Sequence, residues 1–186
     1  MQIPSPYDLA RIFDLHERLG AFEQVDPERV PEPHQQLLVH HDHMTVSMER
    51  FHDGPVEVDV LQHQQTNTSY AREILLRRRA DRAVVQYGIV RLRLDCFPDE
   101  VRSTVLSREV PLGRILISRG LFRHVELGSI WQVKTTPDFR SRCETVAEVT
   151  FGRTALIHLN EIPAIELLEV VVLESTAADP TNSSDT

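Results

Sequence analysis

Apolar positions along the chain change period several times, and each change marks an element. From Ser5 to Leu19 the spacing is helical: Leu9, Ile12, Phe13 and Leu19 fall near one stripe. Ser5 supplies a cap, Pro6 suits the first turn and Gly20 provides a stop. The prolines from Asp26 to Pro33 predict an irregular connection. From Met44 the period becomes two. Met44, Val46 and Met48 alternate with Thr45, Ser47 and Glu49; beyond Asp53-Gly54-Pro55, Val56, Val58 and Val60 alternate with Glu57 and Asp59. This pattern predicts a hairpin of two half-buried strands about an Asp-Gly turn. The polar run Gln62 to Ser69 predicts a longer loop. Tyr70 to Arg77 and Ala83 to Leu94 are rich in Ile, Leu and Val and flank a charged segment, which predicts a second hairpin with a solvated tip.

Helical signals return between Pro98 and Gly120. Pro98 opens one helix with Val101, Val105 and Leu106 on a face, and Pro111 separates it from a short second helix, Leu112 to Arg119. Strand patterns then follow over Arg123 to Val133, Cys143 to Phe151, Thr154 to Ile162 and Ile165 to Leu173, with Phe151-Gly152-Arg153 expected as a turn. Hairpin connections dominate and no βαβ alternation occurs. The expected fold is therefore α+β, a single antiparallel sheet with helices packed on one face. One domain over residues 1–174 is expected, followed by a disordered tail over 175–186, where the residues are small and polar.

Composition narrows the class. The chain has 186 residues, enough for one ordinary domain with its own core. No apolar run approaches the roughly 20 residues of a membrane span, and the N-terminus lacks the basic start and apolar core of a secretory signal. A net charge of -8 disfavours bulk nucleic-acid binding. Cys96 and Cys143 read as reduced thiols, so a cytoplasmic location is expected. Of the 20 basic residues only Lys134 is lysine. Arginine binds carboxylates bidentately, although codon preference also raises its content.

Candidate chemistry is sparse. There is no glycine-rich phosphate loop, G-x-S-x-G, C-x-x-C or H-E-x-x-H. His40-His41-Asp42-His43 offers two histidines to one side of a strand but no clear third ligand, so no metal is expected. Arg77-Arg78-Arg79 reads as a solvated hairpin tip. Two strands are more informative. Arg72 shares a face with Ile74 and Leu76, and Glu169 interrupts the apolar row Ile165, Leu167, Val171 and Leu173. A charge in such a row costs free energy unless paired. Each faces water, or the two pair, or they stand in the walls of an apolar pocket suited to a small cyclic acid.

Several strings resemble the chorismate pyruvate-lyase family: His43-Met44-Thr45, Tyr70-Ala71-Arg72-Glu73-Ile74-Leu75-Leu76, Pro111-Leu112-Gly113-Arg114, Gly152-Arg153-Thr154, and Pro163-Ala164-Ile165-Glu166-Leu167-Leu168-Glu169. They occur in family order between about Leu37 and Leu173. The resemblance implies an α+β domain with an antiparallel sheet, and cofactor-independent cleavage of chorismate to 4-hydroxybenzoate and pyruvate. By motif, Arg72 would bind a substrate carboxylate, with Arg91 or Arg114 assisting. Met44, Leu112 and Gly113 would contribute backbone contacts. Glu169 would be the pocket glutamate and catalytic partner of Arg72, with Glu161 the weaker candidate. The alternative is a non-catalytic sensor of aromatic acids. A similar fold serves as the effector domain of some bacterial repressors, but those carry a winged helix, for which the segment before the first strand reads as too short.

Overall fold

In the computed structural model, residues 3–121, 124–159 and 161–173 are described. The expected tail and Arg123 lie outside them. Seven strands form one antiparallel sheet in the order β1-β5-β6-β7-β4-β3-β2. These are β1 (Gly20–Val25), β2 (Val56–Gln65), β3 (Ser69–Arg78), β4 (Val84–Arg93), β5 (His124–Thr135), β6 (Val149–Leu159) and β7 (Ile162–Val171). The helices are α1 (Pro6–Arg11), α2 (His34–Leu38), α3 (Met44–Phe51), α4 (Asp99–Ser107), α5 (Leu112–Ser118) and α6 (Pro137–Cys143). No helix among the described residues is long and apolar enough to cross a membrane.

Helices cover both faces of the sheet, not one. On one face, Leu9 and Ala10 of α1 and Phe139 of α6 join Leu75, Tyr87, Ile89, Leu168 and Val170 in a single core. The other face carries two cores. Leu37, Leu38, Met44 and Met48 of α2 and α3 pack over Ile74, Leu76 and Val171; Val101, Val105, Leu112 and Ile115 of α4 and α5 pack over Val90, Leu92 and Leu167. The residues of β7 from Ala164 to Val171 are all buried. A strand covered on both sides loses its alternation, and Ile165 to Val172 is apolar on both faces except at Glu166 and Glu169.

Three local expectations are corrected. The alternation from Met44 to Met48 belongs to a helix. Met44, Thr45, Ser47 and Met48 are its buried residues, the spacing of one helical face, and three alternating apolar residues fit that spacing as well as a strand. Cys143 to Glu148 is not strand either, and β6 begins only at Val149. Thr136 caps α6 by accepting from the Phe139 amide, and α6 ends at Cys143. Phe151-Gly152-Arg153 is not a turn but the middle of β6. Gly152 stands there because β7 approaches closely: a Cβ would lie 2.7 Å from the Glu169 carbonyl oxygen.

The N-terminal helix is shorter than expected. It stops at Arg11, and Asp14 takes a positive φ of 55° before the chain enters β1 at Gly20. The expected loop Gln62 to Ser69 is mostly strand, since β2 runs to Gln65 and β3 begins at Ser69. The charged β3–β4 tip is present. Its arginines meet nearby acids: Arg77 with Asp59 and Glu144, Arg78 with Asp81, and Arg79 with Glu57.

Candidate functional site

A cavity lies between the two cores on the α2–α5 face, with an empty volume of about 510 Å³ including space open to solvent. Its floor is the sheet and its rim the starts of α3 and α5. Cross-strand register lays the floor out in rows. Arg72 of β3, Val90 of β4 and Leu167 of β7 stand side by side. In the next row are Ile74, Gly88, Glu169 and Arg153. Leu76, Gln86 and Val171 form the third. All except Val171 line the cavity. Gly88 carries no side chain, and Ile74 of β3 packs over it: a Cβ there would lie 3.2 Å from Ile74 Cγ1.

Arg72 is fully buried. None of its three guanidinium nitrogens has a hydrogen-bond partner among the described residues. Burial lowers its pKa, opposed by the nearby Tyr70 phenol. The Tyr70 phenol lies within hydrogen-bonding reach of the guanidinium but not in proper hydrogen-bond geometry, so the two are neighbours and not a formed pair. An arginine stays charged in proteins, so this is a bare cation in an apolar wall.

Glu169 is also buried, but paired. Arg153, directly across the strand pair, donates from Nε to Glu169 Oε2 at 2.7 Å. The rest of the Arg153 guanidinium is held by backbone: Nη1 donates to the carbonyls of Leu38 and His40, and Nη2 to that of Asp42. Arg153 therefore neutralises Glu169 and ties down the loop leading into α3. The sequence pattern gives Arg153 no role, because Gly152-Arg153 reads as a turn.

Met44, Leu112 and Gly113 line the cavity, with Met44 on a helix and not on a strand. His43 and Pro111 stand at the N-cap positions of α3 and α5, and neither helix has a side-chain cap bond. The two helix starts are close-packed: a Cβ on Gly113 would lie 2.9 Å from Thr45 Oγ1 and 3.2 Å from His43 Cβ.

Other candidates fall elsewhere. Arg91 forks onto Glu166, its cross-strand partner, and Arg114 pairs with Glu49 of α3; neither lines the cavity. Glu161 is exposed in the β6–β7 turn with a φ of 66°. The histidine cluster disperses. His40 meets the Leu37 carbonyl, His41 the Val125 carbonyl, and His43 lines the cavity. Among the described residues no three metal-binding side chains converge on one point.

His43 makes stability depend on pH. Burial and the Arg153 charge lower its pKa to about 4, with Asp42 opposing. An unfolded chain holds it near the ordinary value of about 6.5. Between these values the unfolded state binds the extra proton, so stability rises with pH. Burial lowers the His34 and His40 values in the same direction. Acidification from pH 7 to 5 is expected to remove about 2 kcal/mol through His43, and raising the pH above 7 to remove nothing through it. Urea unfolding of wild type and His43→Asn across this window checks the assignment; an equal pH slope in both would refute it.

No family profile and no curated protein sequence matches the chain. Solved structures do. The effector domain of PhnF from Mycobacterium smegmatis superposes with a TM-score of 0.55 at 12% identity, covering 70% of this chain and 88% of that one. A PhnF structure from the same organism gives a TM-score of 0.53 at 12% identity over 91% of this chain and 98% of that one. The ligand-binding domain of a protein described as a GntR-family transcriptional regulator from Bordetella bronchiseptica gives 0.50 at 9% identity over 70% and 92%. The likeness is one of fold. This chain has the chorismate lyase-like fold of those effector domains.

Proposed function

We propose that the chain takes a small cyclic carboxylic acid into the cavity beneath α3 and α5, as a binding module of this fold. The observation that carries the reading is Arg72. A buried guanidinium with no partner is costly in an apolar wall, and a ligand carboxylate is the group its planar fork fits best. The arrangement around it suits a monoanion. Arg153 already compensates Glu169, and His43 is neutral at pH 7, so the cavity holds one surplus positive charge. The apolar residues beside Arg72, Val90 and Leu167, suit a ring. The structural neighbours include effector and ligand-binding domains, which supports binding without catalysis.

A second reading adds chemistry: cleavage of chorismate to 4-hydroxybenzoate and pyruvate. It is favoured by the Tyr70–Leu76 and Pro163–Glu169 strings, in which one charged residue of each, Arg72 and Glu169, lines the same cavity. In that reading Arg72 orients a carboxylate, while Glu169 orients the ring hydroxyl or takes a proton. One experiment separates the two. Purified protein is incubated with chorismate while pyruvate and aromatic product are followed, and 4-hydroxybenzoate binding is measured by calorimetry. Binding without pyruvate release is expected of the module, and sustained release establishes the lyase. Failure to bind either acid overturns both.

A further inference from the structure

We infer that Gln86 is a specificity-determining residue of this cavity, reading a hydrogen-bonding substituent on the ligand at the end opposite its carboxylate. The inference rests on the carboxylate-binding reading and names the ligand class more closely. Gln86 is 2% exposed, lines the cavity, and its Oε1 is buried with no hydrogen-bond partner among the described residues. Strand β4 otherwise turns Gly88 and Val90 to the same side, so Gln86 is its polar group there. A buried amide oxygen without a partner costs about 1–3 kcal/mol, which a ligand group relieves. Exchanging the two ends of the amide changes the orphan from an acceptor to a donor and does not remove it.

Register fixes where this group lies. Gln86 is four residues along β4 from Val90, which stands beside Arg72. At 3.4 Å per residue that separation is about 14 Å, so Arg72 and Gln86 mark opposite ends of the floor. Glu169 stands next to Gly88 on the neighbouring strand, one row from Gln86, and the two are about 8 Å apart between Cα atoms. Only Oε2 of Glu169 is used by Arg153; Oε1 has no hydrogen bond among the described residues.

The cavity is thus a cation at one end and two unfilled oxygen sites at the other, separated by an apolar stretch. The ligand class that matches is a ring acid with a hydroxyl or amino group para to its carboxylate. An amino group donates to both oxygens. A hydroxyl donates to Glu169 and, with the amide turned, accepts from Gln86.

The test compares benzoate, 4-hydroxybenzoate and 4-aminobenzoate by calorimetry on wild type, Gln86→Leu and Gln86→Met, each first shown to melt cooperatively. Wild type is expected to favour a para-substituted acid over benzoate about tenfold, the value of one satisfied buried hydrogen bond. Both variants should reduce that preference to about twofold or less while leaving benzoate affinity nearly unchanged. The inference is overturned if the preference survives in both variants, or if all three acids weaken equally, which a purely structural Gln86 would produce. Loss of cooperative melting in both variants likewise assigns Gln86 to the fold. Wild type that binds benzoate as tightly as the substituted acids overturns the inference alone. Wild type that binds none of the three overturns the carboxylate reading with it.

Discussion

Replacing Arg72 with alanine is expected to weaken binding of a ring carboxylate at least about a hundredfold, because two charge-assisted hydrogen bonds are lost together. Arg72→Lys should recover little, since an ammonium cannot reproduce the fork. The stability effect is the more discriminating one. Most large buried side chains destabilise when changed, because the cavity left behind does not collapse fully. Arg72 differs: it is fully buried and no hydrogen bond among the described residues offsets its charge. Arg72→Met fills similar space without the charge, and is expected to raise the unfolding free energy by about 1–4 kcal/mol, as when buried charges give way to apolar groups. A variant that binds nothing yet melts higher marks a residue kept for its ligand at the expense of the fold. Calorimetry and thermal melts on all three variants check this. If Arg72→Met melts well below wild type, Arg72 has a structural partner and is not a receptor.

Arg72 and Glu169 were legible in the sequence because each interrupts an apolar row of period two, and that row survives as a strand face. Ile74 and Leu76 on one strand and Leu167 on the other do line the cavity with them. The β3–β4 hairpin was legible for the same reason, whereas β2 was expected to pair with the Met44 segment and pairs with β3 instead. Other features lacked such a signal. The pair Met44 and Met48 sits at a spacing that serves a strand and a helix equally, so α3 looked like a strand. Strand β1 has one buried residue, Phe22, between Ala21 and Glu23, which is too little pattern to detect. Gln86 lies in a strand buried on both faces, where period two is erased. Arg153 was hidden by a glycine whose role is close approach of β7 and not reversal of the chain.

Arg153 also changes what is expected of Glu169. Considered alone on β7, Glu169 is a carboxylate whose loss should touch only ligand and chemistry. In the structure it is the ionic partner of a buried arginine that also binds the carbonyls of Leu38, His40 and Asp42. Glu169→Leu leaves that guanidinium without its counter-charge and is expected to cost about 3–5 kcal/mol. Glu169→Gln keeps an acceptor for Arg153 Nε, so about 1–3 kcal/mol is expected instead. This makes the glutamine variant the usable one. If the protein cleaves chorismate, Glu169→Gln should lower turnover far more than 4-hydroxybenzoate affinity, because a carboxylate that orients or accepts a proton acts mainly in the transition state. If the protein only binds, affinity for the para-hydroxy acid should fall by about tenfold, with benzoate affinity little changed, since a ring without the hydroxyl never engaged Glu169. Equal loss for both acids would place the effect in the loop that Arg153 holds, and would remove Glu169 from direct contact with the ligand. Denaturant unfolding, pyruvate release and the two affinities, measured on one preparation of the variant, separate a charge that serves the ligand from a charge that serves Arg153.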